Sequence, residues 1–502
     1  MAPRPIDVGS EKQLMFDDRF IDSSENVELT MNPPTMGEEP VLGMDFPWET
    51  RIGGYNTVIR EGDKFRMWYD FTPPDDDPSG ITRGVAYAES SDGLNWVKPE
   101  LGLVEIAGSK ANNVVIPRLP NAPRGETEGG TVLLDTNPNC PPAEKYKFWT
   151  KIRGIPPEDE ARGMTGPFWQ MYSADGILWN VYLDRIETPK CDTQNVPMWD
   201  DRLGKYVGYG RTRNSDRGFK VRGIGRIESD DFHNWSEMVE VFRAEKLDWR
   251  AIPPDACRER LGGYVDVYTN AAMKYPYAQD AYFMMPSFLY HWECVQAVEG
   301  EGDEAGDMHV NFPDTADVRL LMSRDGVSWS QAPGKRPFLS VGLAGGPRSR
   351  SLYTAPGVVR VGDWLWNYCS GSNRNHSGQV DPGSDRYESG IYVNVSRLDG
   401  FMSADTPYDG GWLVTPPITF TGSSLELNID TGAGGLAQVE LQTADGGPID
   451  GFTRGECDTL NGNAIRKTVT FNGSADLSAL AGQPVRLRIA TYDTKFYAFQ
   501  FK

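Results

Sequence analysis

Ser90-Ser91-Asp92-Gly93-Leu94-Asn95-Trp96 is the first of four copies of one pattern, Ser-x-Asp-(Gly/Phe)-x-x-Trp, and the number of copies decides the fold. The others run from Ser173 to Trp179, from Ser229 to Trp235 and from Ser323 to Trp329. A looser fifth, Ser396-Arg397-Leu398-Asp399-Gly400-Phe401, has an extra residue and Phe in place of Trp. A repeat of roughly 55 to 95 residues accommodates one four-stranded sheet per copy, the signature of a β-propeller. Five copies predict five blades. Within each copy the Asp is expected to bond nearby backbone amides, the Gly to supply positive φ and the Trp to pack between blades. The repeat aspartates therefore read as structural rather than catalytic.

Between the turns, alternating apolar positions predict the strands. The first blade takes residues 55–60, 64–71 and 84–89, and the second 131–135, 146–151 and 168–172. The third takes 196–200, 206–211 and 221–227, the fourth 264–272, 281–290 and 318–322, and the fifth 352–361, 364–369 and 391–395. No amphipathic helix is read anywhere, so the class is all-β. Later in the chain the texture changes to short, closely spaced strands with Gly-rich turns, which read as a β-sandwich. The expectation is a five-bladed β-propeller over residues 1–402 followed by a C-terminal β-sandwich over 403–502. Asp17-Asp18 resembles a catalytic pair, but its segment is expected to add to the last blade or the sandwich and close the ring.

A formal charge of -21 argues against nucleic acid, because little here would release counterions from phosphate. The 14 Trp and 21 Tyr suit a loop-rich β protein that stacks rings on sugars. Six Cys without C-x-x-C spacing point to free thiols rather than a zinc site or disulfide framework, and no cofactor or metal signature is present. No stretch approaches the roughly 20 apolar residues of a membrane span. Met1-Ala2-Pro3-Arg4-Pro5 lacks the features of a signal peptide, so the expected location is cytoplasmic, or secreted or periplasmic if a leader has been removed.

The turn Ser229-Asp230-Asp231-Phe232-His233-Asn234-Trp235, with a later segment Gly411-Trp412-Leu413-Val414-Thr415, resembles the five-bladed glycoside hydrolases of families 32, 43 and 68. Lys98-Pro99-Glu100-Leu101-Gly102-Leu103-Val104-Glu105, Leu425-Glu426-Leu427-Asn428, Pro448-Ile449-Asp450-Gly451-Phe452 and Asp476-Leu477-Ser478-Ala479-Leu480-Ala481-Gly482 are similar to family-32-like bacterial proteins with a C-terminal sandwich. The resemblance implies three carboxylates on the innermost strands of the first three blades: a nucleophile or base, a stabilising Asp and an acid Glu. The family-32 signatures Asn-Asp-Pro-Asn-Gly, Arg-Asp-Pro and Glu-Cys are absent from their expected positions. Placing 64–69 on the first blade's second strand puts the family's first Asp near Gly53, with Glu49 the nearest acid. Related propellers sometimes hold Ca²⁺ on the axis, for which this chain shows no residue pattern.

Glycoside cleavage needs a proton donor and a second carboxylate across the anomeric carbon, about 5 to 9.5 Å apart. Loops leading into the innermost strands of a propeller surround its axial funnel. They offer Trp48-Glu49-Thr50-Arg51, Glu126-Thr127-Glu128-Gly129-Gly130 and Cys191-Asp192-Thr193-Gln194-Asn195. Asp192 is read as nucleophile, base or stabiliser, and Glu49 or Glu128 as the acid; the alternative for each is an exposed loop carboxylate. Arg51, Arg213, Asp266, Tyr268, His291, Arg348, Arg350 and His376 are read as substrate-binding, with Tyr353 beside them. Asp266 and Tyr268 alternate onto one face. The arginines would hold a uronate or sulfate if they face the funnel, and would otherwise pair with this chain's many acids. His233 lies inside a repeat turn and reads as structural.

The leading expectation is an exo-acting glycoside hydrolase that cleaves a terminal sugar from an oligo- or polysaccharide, with a carbohydrate partner that is anionic if the arginines face it. Alternatives are a glycoside phosphorylase, whose arginines would seat phosphate, and a non-catalytic carbohydrate-binding propeller.

Overall fold

The computed structural model describes residues 4–116, 126–153, 168–182, 194–216, 219–245, 264–291, 296–297, 308–309, 314–376 and 378–502. Among these the regular structure is β, interrupted only by short 3-10 turns. The first three sheets are four-stranded antiparallel meanders. They comprise Arg51–Glu61, Lys64–Thr72, Gly84–Ser90 and Val114–Ile116; then Glu126–Leu134, Tyr146–Arg153, Phe168–Ser173 and Asn180–Val181; then Val196–Asp200, Lys205–Asp216, Phe219–Ser229 and Val239–Arg243. Their buried faces carry β-branched and aromatic residues, such as Val58, Tyr69 and Val85 or Val196, Val207 and Ile224.

The fourth sheet departs from the simple trace. The strand expected over 264–272 is two strands, Tyr264–Val267 and Ala272–Lys274, and its partners split likewise into Ser287–His291 and Tyr282–Met284. Polar side chains replace the ladder at the break. Thr269 Oγ1 accepts from Ser287 N at 2.8 Å, and Asn270 Nδ2 donates to Gln194 O at 3.0 Å. The break leaves Tyr268 at the end of a strand rather than inside one. The strands Ser351–Thr354, Val359–Val361, Trp364–Ser372 and Ser389–Arg397, termed the fifth sheet, have the N-terminal Thr35–Met36 along their edge. They are continuous with Tyr264–Val267 and Ser287–His291 through Asp314–Val318, which pairs in parallel at Ala316 and Ser351, so that one eight-stranded sheet results.

The repeat turns form as their residue types dictate. In the first copy Asp92 Oδ1 accepts from the amides of Leu94 and Asn95 at 2.8 Å, and Gly93 N donates to Ser90 Oγ at 2.9 Å. Each turn is also gripped by the preceding sheet. Trp68 Nε1 donates to Gly176 O at 2.7 Å, Gln170 Nε2 to Phe232 O at 2.6 Å, and Tyr209 Oη to Gly326 O at 2.6 Å. Tyr275 Oη donates to Asp399 Oδ1 at 2.7 Å in the loose fifth copy, and Tyr368 Oη returns to Gly93 O at 2.9 Å. The sequence of bonds is therefore cyclic, from the fifth sheet back to the first. Trp96, Trp235 and Trp329 pack on Tyr368, Trp149 and Tyr209 of the preceding sheet, whereas Trp179 packs on Phe148 of its own.

Gly176 is required twice over, with φ +76° and a notional Cβ only 2.6 Å from Trp68 Cζ2. Gly62 has φ +61° with open space around it. Gly62→Ala is expected to cost about 1 kcal/mol of stability, and Gly176→Ala roughly twice that or more because the indole must also move. Chemical denaturation of the two variants checks this; equal losses would refute the packing part.

Two further sheets share one apolar cluster that includes Val8, Leu413, Leu427, Val439, Leu487, Ile489 and Phe499. Residues after 401 supply most of their strands, but Ile6–Gly9, Gln13–Leu14, Ser23–Glu25 and Glu28–Met31 pair into them from the N-terminus. Asp17, rather than facing a cavity, accepts from Arg324 Nη2 at 2.6 Å.

Candidate functional site

A cavity of about 480 Å³ opens where the inner strands of the first and fifth sheets begin, and Arg222 and Tyr268 of the third and fourth reach its wall. Local backbone makes room for it. In the first sheet the register slips between Ile52 and Asn56, and Gly53 (φ +77°) lies so near Ser370 that a Cβ would sit 2.6 Å from Ser370 Oγ. The second sheet has the corresponding slip between Glu128 and Thr131, with Gly129 at φ +70°.

Four arginines line the cavity, Arg51, Arg83, Arg222 and Arg374, together with Tyr55, Tyr268, Tyr353, Tyr387 and His376. Among the described residues the lining includes no Asp or Glu. The acids stand one layer back. Asp266, fully buried, accepts from Arg222 N at 2.8 Å, pairs with the Arg222 guanidinium and lies 3.0 Å from His291 Nε2. Asp70 is 3.8 Å from Arg83 Nε, and Asp314 Oδ1 accepts from His376 N at 2.8 Å. Arg374 Nε donates to Gly378 O at 2.7 Å. Neither Arg51 nor Arg374 has an ion-pair partner among the described residues. A positively charged wall in a chain of net charge -21 is the reverse of the overall balance.

Burial pushes the Asp266 carboxyl up, but the Arg222 guanidinium and then the His291 bond outweigh it and hold the group below the usual carboxylate range. A depressed native value contributes stability that is complete above the unfolded value, about pH 4, and lost as pH falls through the lower native one. Acid unfolding is therefore expected to begin below about pH 4 and to become shallower in Asp266→Asn. A variant with an unchanged acid limb in a pH titration of stability would contradict the assignment.

Of the residues expected from sequence, Arg51, Tyr268, Tyr353 and His376 meet on the wall. Asp266 and His291 lie directly behind it. Arg348 and Arg350 do not line it: Arg348 Nη1 donates to Gly37 O at 2.8 Å with its guanidinium over Tyr392, and Arg350 pairs with Asp381 at 3.2 Å. Arg213 is also off the wall, in backbone register with Arg222. Glu49, expected as an acid of the funnel, is buried elsewhere. Lys98 Nζ donates to both its oxygens at 2.9 and 2.7 Å, Tyr69 Oη donates to Oε1 at 2.9 Å, and the amides of Asp45 and Phe46 donate to Oε2 at 2.9 and 3.2 Å. For Glu128 the backbone is described, pairing with Lys151 as Ile52 pairs with Phe71. Asp192 lies outside the described residues.

Sequence reading overlooked Arg83, Arg222, Arg374, Tyr55 and Tyr387. Arg222 carries no distinguishing signal, because its strand Phe219–Ser229 also holds Lys220, Arg226 and Glu228. Among the described residues no group of three or more His, Cys, Asp or Glu could hold a metal ion, and no helix is long and apolar enough to cross a membrane. Cys140, Cys369 and Cys457 are free thiols.

No protein-family model matches the chain, and no curated protein sequence does. The solved structures to which it is similar include carbohydrate-active enzymes. A β-1,2-mannobiose phosphorylase from Listeria innocua is 11% identical over 74% of this chain and 98% of its own, with a TM-score of 0.44. An N-acetylgalactosamine deacetylase from F. plautii, in complex with blood group B trisaccharide, is 18% identical over 73% and 95%, with a TM-score of 0.43. A GH32 β-fructofuranosidase from Bombyx mori is 10% identical over 94% of this chain and 95% of its own, with a TM-score of 0.41.

Proposed function

We propose that the protein is a glycoside hydrolase that takes a terminal sugar bearing an anionic group into the arginine-lined cavity. Its architecture on this reading is a five-bladed β-propeller, supported by the cyclic turn bonds, and a C-terminal β-sandwich from residue 403 that also takes strands from the N-terminus. One observation carries the substrate class: four arginines line one cavity whose described lining has no carboxylate, and two of them, Arg51 and Arg374, have no ion-pair partner among the described residues. Guanidiniums bond carboxylate and sulfate oxygens in pairs, and the tyrosine rings offer flat apolar faces to a sugar. The proton donor is assigned to Glu128, whose backbone holds in the second sheet the register of Ile52, a lining residue in the first. Asp192 is assigned the stabilising carboxylate. Glu49 is not assigned a role in the chemistry, because its oxygens are already committed to Lys98, Tyr69 and two amides.

Aryl glucuronides and galacturonides, compared with the matching neutral glycosides, test this directly. Release of the aryl group from the uronides, inhibited by salt, is expected; equal turnover of the neutral compounds would refute the anionic assignment. A phosphorolytic route is the second reading, favoured by the same wall because guanidiniums also seat phosphate; turnover that requires inorganic phosphate would establish it. Uronide binding without turnover would leave a carbohydrate-binding protein.

A further inference from the structure

The side chains on the described wall best placed to make and break bonds are Tyr268 and His376. Tyr268 Oη and His376 Nε2 are 2.7 Å apart, and the rings meet edge to face with centroids 4.7 Å apart. The backbone that carries the imidazole is held by the buried Asp314, which accepts from His376 N. The phenol is held from the protein side. Arg211, only 2% exposed, lies over its ring at 4.3 Å and donates from Nη2 to Tyr268 O at 2.8 Å, and Arg222 lies 5.6 Å from the ring centroid. The Arg211 cation thus lies over the ring whose oxygen would carry negative charge in a reaction, fixed before any substrate arrives, with Arg222, paired to Asp266, nearby.

Resting on the reading that an anionic sugar occupies this cavity, we propose that Tyr268 is the nucleophile of glycoside cleavage, His376 the base that takes its proton, and a glycoside of a uronic acid the substrate. A carboxylate nucleophile would have to approach a sugar that already carries a carboxylate, and like charges repel in a partly buried site. A neutral phenol that loses its proton only as it attacks avoids that repulsion. In the first step the Tyr268 Oη–C1 bond forms as the bond from C1 to the leaving oxygen breaks. The phenol proton passes to His376 Nε2, and the leaving oxygen takes the Glu128 proton. In the second step a water oxygen bonds to C1 as the Tyr268 bond breaks. One water proton goes to the Glu128 carboxylate, and His376 returns its proton to Tyr268. Two displacements at C1 retain the anomeric configuration.

The test is covalent trapping by glucuronosyl and galacturonosyl fluorides carrying a second fluorine beside C1, followed by peptide mass spectrometry of the intact protein's digest. One uronosyl group on the peptide containing Tyr268, absent in Tyr268→Phe, is the expected result. Label on the Glu128 or Asp192 peptide overturns the assignment, as does wild-type turnover of aryl uronides with no label. Tyr268→Phe keeps the ring, so its folding is compared with wild type by melting. His376→Ala is expected to lower kcat on aryl uronides roughly 10²–10⁴-fold with KM little changed; a normal kcat removes the base role. Calorimetry with free glucuronate and galacturonate separates the two levels. Binding without label defeats the nucleophile assignment alone, and neither binding nor turnover defeats the anionic-sugar reading and this proposal together.

Discussion

Glu49→Ala is expected to lower the stability of the protein by about 3 kcal/mol, because it strips the Lys98 ammonium of the buried one of its two carboxylates. The side chain of Glu49 is 0% exposed and that of Lys98 5%, so water cannot take the place of the lost carboxylate. Three more donors lose their acceptor at the same time. Burial and the Glu49 charge push the Tyr69 hydroxyl well above its ordinary value, so it stays a proton donor in need of a partner. The amides of Asp45 and Phe46 are the others. Lys98 keeps Asp45, at 2.8 Å, and Gly43 O, which limits the loss. Glu49→Gln is expected to fall between Ala and wild type, since an amide oxygen still accepts while the charge is gone. Melting and denaturant curves of both variants decide the matter. A Glu49→Gln protein that melts like wild type but has lost glycoside turnover would return Glu49 to the chemistry.

Arg51→Met is expected to weaken a uronide by about 1.5–3 kcal/mol, roughly tenfold to a hundredfold in Kd, while leaving a neutral glycoside nearly unchanged. Arg51 has no ion-pair partner among the described residues, so its charge is not already spent on a protein carboxylate as that of Arg222 is on Asp266. Met keeps the apolar stem, which confines the change to the lost charge and donors. Calorimetric titration with paired uronides and neutral glycosides, at low and high salt, reads it. Equal losses for both ligands would mean that Arg51 shapes the cavity rather than selecting charge. Arg348→Met serves as a contrast, because that guanidinium is bound to Gly37 O and Tyr392 away from the cavity.

The turns were legible because everything that makes them lies within seven consecutive residues: Ser90 bonds Asp92 and Gly93, Asp92 bonds Leu94 and Asn95, and Trp96 Nε1 donates to Gly93 O at 3.0 Å. Tyr268 and His376 were legible as candidates, the first from alternation with Asp266 and the second from its rarity among four His. Their pairing was not, since 108 residues separate them. The pairing of Glu49 was hidden for the same reason, as its main partner, Lys98, is 49 residues away.

Sequence alone determined the all-β class, the five repeat turns and the residue types from which a sugar site could be built, because short-range hydrogen bonds and strand alternation act between near neighbours in the chain. Which polar groups face the cavity was decided only by tertiary structure. Arg51, Arg83, Arg222 and Arg374 reach one wall from three sheets, while Arg348 turns to Gly37 and Glu49 to Lys98. A charged side chain goes where it can stay hydrated or find its opposite, and those partners are assembled by the packing of sheets far apart in sequence.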